Sequence, residues 1–154
     1  MVRIRNGAWG CSVERQNFVL AALSSAGRGA QFTPVQVQKL FFLVDREASH
    51  LFGGPYYQFT PYDYGPFDRN IYTDLELLQM QGAVEVVNSG RYRVYRLTEN
   101  GAERGERLLQ NFSTSSTSYL AQIAGWVRSL SFGQLVSAIY SKYPEMRENS
   151  VFQG

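Results

Sequence analysis

The chain has 154 residues, 15 Lys and Arg against 13 Asp and Glu for a formal net charge of +2, and 44% hydrophobic and 14% aromatic content. That length and apolar fraction support one domain with a real core and exclude a disordered chain. A lone cysteine, Cys11, excludes an internal disulfide framework or a multi-cysteine zinc site, no run approaches the roughly 20 apolar residues of a membrane span, and so balanced a charge defines no anionic partner by itself.

In chain order, "SVERQNFVLAALSSAG" predicts a first helix over about residues 12–26, with Ser12 as N-cap, Val13, Phe18, Val19, Ala22 and Leu23 near helical spacing, and Gly27 as its stop. "TPVQVQKLFFLVDREASHLFGG" predicts a second over 33–51, capped by Thr33, with Pro34 at the first helical position and Gly53 and Gly54 closing it. Val37, Leu40, Phe41, Val44 and Ala48 share one face of it. After the loop "GGPYYQFTPYDYGP", a third helix is predicted over 66–82 from Phe67, Ile71, Leu75 and Leu78, with Gly82 just past its end. Gly65 and Pro66 are read as its start, Pro66 in the first helical position and Asp68 at the positive end of the dipole.

"AVEVV" and "RYRVYRL" around "NSG" read as a hairpin over 83–97. Thr98 can cap a helix over 98–112, weakened by Gly101 and Gly105; "STSSTS", residues 113–118, is a short polar linker or a cap with several candidate hydroxyls. Helices over 116–129, with Leu120, Ile123, Ala124 and Val127 on one face, and over 131–142, from Ser131 to the stop at Pro144, complete the chain. The fold class expected is mainly α with a small β-hairpin, a single winged-helix-like domain over 1–154, because helix, helix and hairpin in that order is the layout of a winged helix. The start "MVRIRNGAWGCSVERQ" lacks the apolar stretch of a secretory signal, so a cytoplasmic protein without membrane contact is expected.

"LELLQMQGAVEVV" followed by "RYRVYRLTENGAE" resembles the end of a winged-helix module, in which the threonine closes the wing and caps the next helix. More widely, Lys39-Leu40-Phe41, Tyr64-Gly65-Pro66, the hairpin, and Leu135, Tyr140, Tyr143 and Pro144 are similar to Panacea or SocA-like antitoxin domains of bacteria and phages, and to small bacterial proteins of the YwgA type. That resemblance implies a binding protein: a partner such as a toxin, or an adaptor role toward a protease, with no enzyme activity and no cofactor. The departure is the aromatic content of the loop from Gly53 to Phe67.

Two contact surfaces follow from the residues. Tyr56, Tyr57, Phe59, Tyr62, Tyr64 and Phe67, with Arg69, form a candidate partner-binding set, since tyrosine offers large area, a polar handle and little entropy to lose; the same rings could instead cover the core. Arg91, Arg93 and Arg96 in the hairpin and Arg104 after it form a candidate nucleic-acid surface. Against the second stand Asp68, Asp74 and Glu76 on the third helix and a connection too long for a tight helix-turn-helix. An apolar face carrying Trp126 could serve a homodimer or finish the core.

Catalytic patterns are thin. His50 is the sole histidine and sits where a helix C-terminus gives it a capping or solvated role. Asp45, Glu47, Asp63 and Asp68 follow no metal-ligand spacing, and "SSAGRGAQ" lacks the lysine and preceding strand of a phosphate loop. No catalytic residue, metal site or cofactor is assigned.

Overall fold

The computed structural model describes residues 8–153, apart from the side chains of residues 8–13, 89 and 92. Helix α1 (Ala8–Ser24) begins earlier than its spacing predicts, so Ser12 lies within the helix; the side chains of Ser12 and Val13 fall outside those described. A two-residue strand, β1 (Gln31–Phe32), leads into α2 (Pro34–Phe52). The start of α2 is the predicted one: Thr33 Oγ1 accepts the Gln36 amide at 3.3 Å and Gln36 Oε1 accepts the Thr33 amide at 2.9 Å, a reciprocal cap ahead of Pro34.

A second antiparallel pair, β2 (Thr60–Tyr62) and β3 (Gly65–Phe67), precedes α3 (Asn70–Met80). Strands β4 (Val84–Ser89) and β5 (Tyr92–Leu97) form the predicted hairpin, and α4 (Glu99–Leu109), α5 (Thr114–Ser129), α6 (Phe132–Lys142) and a 3₁₀ turn (Pro144–Arg147) follow. The hairpin joins β1 in a sheet of order β1-β5-β4, with Phe32 and Val86 both opposite Tyr95. The fold is mainly α with a small antiparallel sheet, and β2–β3 is a tongue inserted between α2 and α3.

Helix α2 is the axis of the core. Every residue from Val37 to Val44 is buried, because α1, α5, α6 and β3 surround it, and the aromatic cluster of Phe18, Phe41, Phe52 and Tyr56 joins it to α1. Ile71, Leu75 and Leu78 of α3 and Leu120, Ala124 and Val127 of α5 are buried on the faces expected of them. Each is the kind of side chain whose truncation to alanine, where larger, costs about 2–5 kcal/mol.

The third helix requires a correction. Gly65 and Pro66 do not start it; they lie in β3, where Pro66 stands opposite Pro61 in the ribbon and Tyr62 opposite Gly65. Two prolines can face each other in a two-stranded ribbon where neither need donate an N–H, and the predicted proline-first helix is displaced by that pairing. Asp68 instead prepares the helix: its Oδ1 accepts the Asn70 amide at 2.8 Å. Gly101 and Gly105 also change meaning. A Cβ at Gly101 would lie 1.9 Å from the Ala83 carbonyl oxygen, and one at Gly105 2.5 Å from that of Leu20. Glycine at these positions lets α4 approach Ala83, just ahead of β4, and α1 backbone to backbone.

Candidate functional site

The segment from Gly53 to Phe67 is pinned before it forms the tongue. Asp45 of α2 accepts the Tyr56 and Tyr57 amides at 3.1 and 2.9 Å, and Asp68 Oδ2 accepts the Gln58 amide at 2.7 Å. Burial raises the Asp45 carboxyl above its ordinary range, and the two amides oppose that rise. Gln38 of α2 exchanges two hydrogen bonds with the backbone of Asp68, at 2.9 and 3.0 Å, tying the base of the tongue to the core. On the far side the C-terminal segment laces the turn: the Val151 amide donates to the Asp63 carbonyl at 2.9 Å, and Tyr140 donates to the Ser150 hydroxyl at 2.6 Å.

These restraints hold the tongue over the start of α2 and leave a cleft of about 560 Å³. The first turn of α2 forms one wall, the tongue residues Tyr62, Tyr64, Gly65 and Phe67 the second, and Leu130 to Phe132 with Leu135 the third. Three large rings stand at its rim: Tyr62, Phe132 and Tyr64 are 51%, 45% and 43% exposed. Each is propped by another ring, Tyr62 stacked on Phe67 at 4.8 Å and Tyr64 edge-on to Phe132 at 5.1 Å. Such rims are pre-ordered and lose little on contact with a partner.

Lys39 lies in the same cleft, 3% exposed. Its Nζ donates to the Pro66 carbonyl at 3.2 Å, and burial lowers its pKa to about 7. Gly65, at φ +106°, passes directly over it: a Cβ there would meet Lys39 Cε at 3.4 Å and Nζ at 3.5 Å. The tight turn thus needs glycine for its backbone angle, and the small residue keeps the amine's surroundings open.

The predicted partner-binding set divides. Tyr62, Tyr64 and Arg69 are exposed and Phe67 is half-buried beneath Tyr62. Tyr57 is a correction: it is 7% exposed, and its hydroxyl donates to Asp74 at 2.7 Å, because the Asp45 clamp turns this residue into the core. Tyr56 is half-buried, stacked on Phe18, with its hydroxyl donating to the Phe52 carbonyl. Phe59 packs edge-on against Phe42.

The nucleic-acid set divides too. Arg91 and Arg93 are exposed, Arg93 lying over the Tyr95 ring; Arg96 pairs with Glu85 at 3.2 Å; Arg104 donates to the Gln81 side chain at 3.1 Å. The acidity expected of α3 is not on its surface. Asp74 is fully buried, held by Arg15 at 2.6 and 3.1 Å, and Asp68 is buried where it accepts the Asn70 amide, so Glu76 is left facing solvent, and Arg69 is exposed at the helix start. Trp126 is 41% exposed on α5, and His50 is exposed near the end of α2. Three of the four carboxylates weighed for metal chemistry have other work: besides Asp45 and Asp68, Glu47 pairs with Lys142 at 2.6 Å, while Asp63 lines the cleft. Among the described residues no group of three or more His, Cys, Asp or Glu is arranged to hold a metal ion, and no helix is long and apolar enough to cross a membrane.

The burial of Lys39 and the contribution of Phe132 are absent from the sequence reading. A signal for the first existed: "KLFFLV" follows the lysine with five apolar residues in a row, which marks a helix covered on all sides. None existed for Phe132, 65 residues or more beyond the tongue, whose place depends on how α6 docks. Comparison with protein-family models gave no match, and neither did comparison with curated proteins.

Proposed function

We propose that the protein acts by binding another protein, as a small prokaryotic or phage antitoxin or adaptor, with the tongue and its aromatic rim as the contact surface. The observation that carries this reading is the gathering of Tyr62, Tyr64 and Phe132, each more than two-fifths exposed, at one cleft mouth. Large rings held in place yet left open to solvent are the residues that dominate protein interfaces. The sequence resemblance to antitoxin domains agrees with a role in binding.

The test is co-purification with the product of a neighbouring gene. Wild type should retain the partner, and Tyr62→Ala and Tyr64→Ala should each weaken capture at least tenfold while shifting the thermal midpoint by a few degrees at most. Full capture by the double variant would overturn the reading.

A second reading, a winged-helix DNA-binding regulator, is favoured by one specific observation: Asp68 and Asp74 are withdrawn from the surface of α3, beside a hairpin whose Arg91 and Arg93 are exposed. The electrostatic objection from the sequence is thereby reduced to Glu76. Fluorescence anisotropy with duplex DNA decides it: binding that weakens steeply with salt and with Arg91→Ala supports it, and no binding at low salt ends it.

A further inference from the structure

We infer that the cleft beneath the aromatic rim is a binding site for a small apolar carboxylate, ion-paired with the Lys39 ammonium on its inner wall. The inference goes beyond the protein-contact reading and does not rest on it.

Three observations converge. Lys39 is 3% exposed, and the hydrogen bond described for its Nζ is the 3.2 Å contact with the Pro66 carbonyl, which leaves donors of a three-donor group for a ligand. No ion pair to Lys39 exists among the described residues, whereas the buried Asp74 has a bidentate arginine. An ammonium with no carboxylate in a buried wall is electrostatically incomplete, and a ligand carboxylate completes it. Second, the cleft of about 560 Å³ is within the size range of small-molecule sites, and its walls, Tyr62, Tyr64, Phe67 and Leu135 among them, suit an apolar body. Third, α2 and α6 both begin at the cleft, at Thr33 and Ser131, so two helix dipoles present their positive ends there.

Other charges near Lys39 do not replace the ligand. Asp63 is the acidic residue lining the cleft, in the tongue turn, yet among the described residues no ion pair joins it to Lys39, and burial is what lowers the amine. The other titratable groups lining the cleft are Tyr62 and Tyr64 of the tongue and Tyr72 of α3, and Tyr140 of α6, whose ring carries Arg147 at 5.2 Å, lies against Gly65 beside the amine. Without a ligand, burial holds the amine near neutrality, half protonated at about pH 7. A carboxylate beside it favours the charged form, so binding above pH 7 draws in a proton.

The experiment is calorimetric titration of the full chain with 4-phenylbutyrate and octanoate, against 4-phenylbutanol and octanol as neutral counterparts, from pH 6.5 to 9 in two buffers of different ionisation enthalpy. The carboxylates should bind at least tenfold more tightly than the alcohols at pH 6.5. Above pH 7 their Kd should rise about tenfold per pH unit, with uptake approaching one proton at pH 8. Lys39→Met should abolish the preference for carboxylate while still admitting the alcohols. No binding of any probe at millimolar concentration, equal binding of acid and alcohol, or a preference that survives Lys39→Met would overturn the proposal. Should Lys39→Met fail to fold, the charge preference and pH slope of the wild type decide alone. The titration contains no partner protein, so its failure leaves the protein-contact reading standing, and the converse also holds.

Discussion

Two charged side chains buried in the same fold are treated in opposite ways. Asp74, fully buried on α3, is met by a bidentate guanidinium from Arg15 and by the Tyr57 hydroxyl, so α1, the loop and α3 are locked by one ionic cluster. Lys39, almost as deeply buried on α2, has a backbone carbonyl and an open cleft in front of it. The first is closed on itself and offers nothing to a ligand. The second is left incomplete at the place where the exposed rings gather. A buried charge fully compensated within the fold is evidence of architecture, and one that is not is evidence of a site.

The largest expected effect breaks the closed side. Asp74→Ala strands the Arg15 charge and the Tyr57 hydroxyl, and should cost about 3–5 kcal/mol in urea unfolding. Tyr57→Phe removes one hydrogen bond to a charged partner and should cost less, about 1.5–3 kcal/mol. Next comes Gly101→Ala, whose Cβ would be driven into the Ala83 carbonyl; overpacking of this kind costs about 1–3 kcal/mol and should appear as a lowered denaturation midpoint.

The open side should respond in the contrary direction. The Lys39 pKa is depressed in the folded state, to about 7, from an unfolded value near 10.5, so between those values the unfolded chain holds more protons. Stability from this group therefore rises with pH from about 7 toward 10, by at most about 1.4 kcal/mol per unit. Lys39→Met should remove that slope and leave the protein at least as stable as wild type at pH 7, measured by urea titrations at pH 7, 8 and 9. A variant that is less stable at pH 7 and keeps the slope would show that the amine is compensated after all. The smallest effect belongs to the rim: Tyr64→Ala should cost about 1–2 kcal/mol, less than truncating a core ring, because Tyr64 is 43% exposed.

Much of the framework was legible in the sequence. Thr33, Thr98 and Ser131 cap the helices predicted of them, each with its hydroxyl on the amide three residues on. The hairpin followed from alternation around Asn and Gly, and the apolar faces of α2, α3 and α5 from period. The tongue did not follow. Gly65-Pro66 is a sound helix start in local terms, and its placement in a strand depends on Pro61 lying across from it and on Val151, close to the other end of the chain, holding the turn. The candidate site was half legible: Tyr62 and Tyr64 were named, but so was Tyr57, and the aromatic string alone cannot distinguish a ring that meets Asp74 from one that meets solvent.

Sequence by itself determined where chains turn and which helix faces are apolar, because caps, periods and turn residues act within four or five positions. Tertiary structure decided which polar groups meet. Arg15 reaches Asp74 across 59 positions, Gln38 reaches Asp68 across 30, and Lys39 reaches Pro66 across 27 and, among the described residues, pairs with no carboxylate. Those encounters depend on how whole helices pack, and packing is set by the summed shape of many side chains, which no short stretch contains.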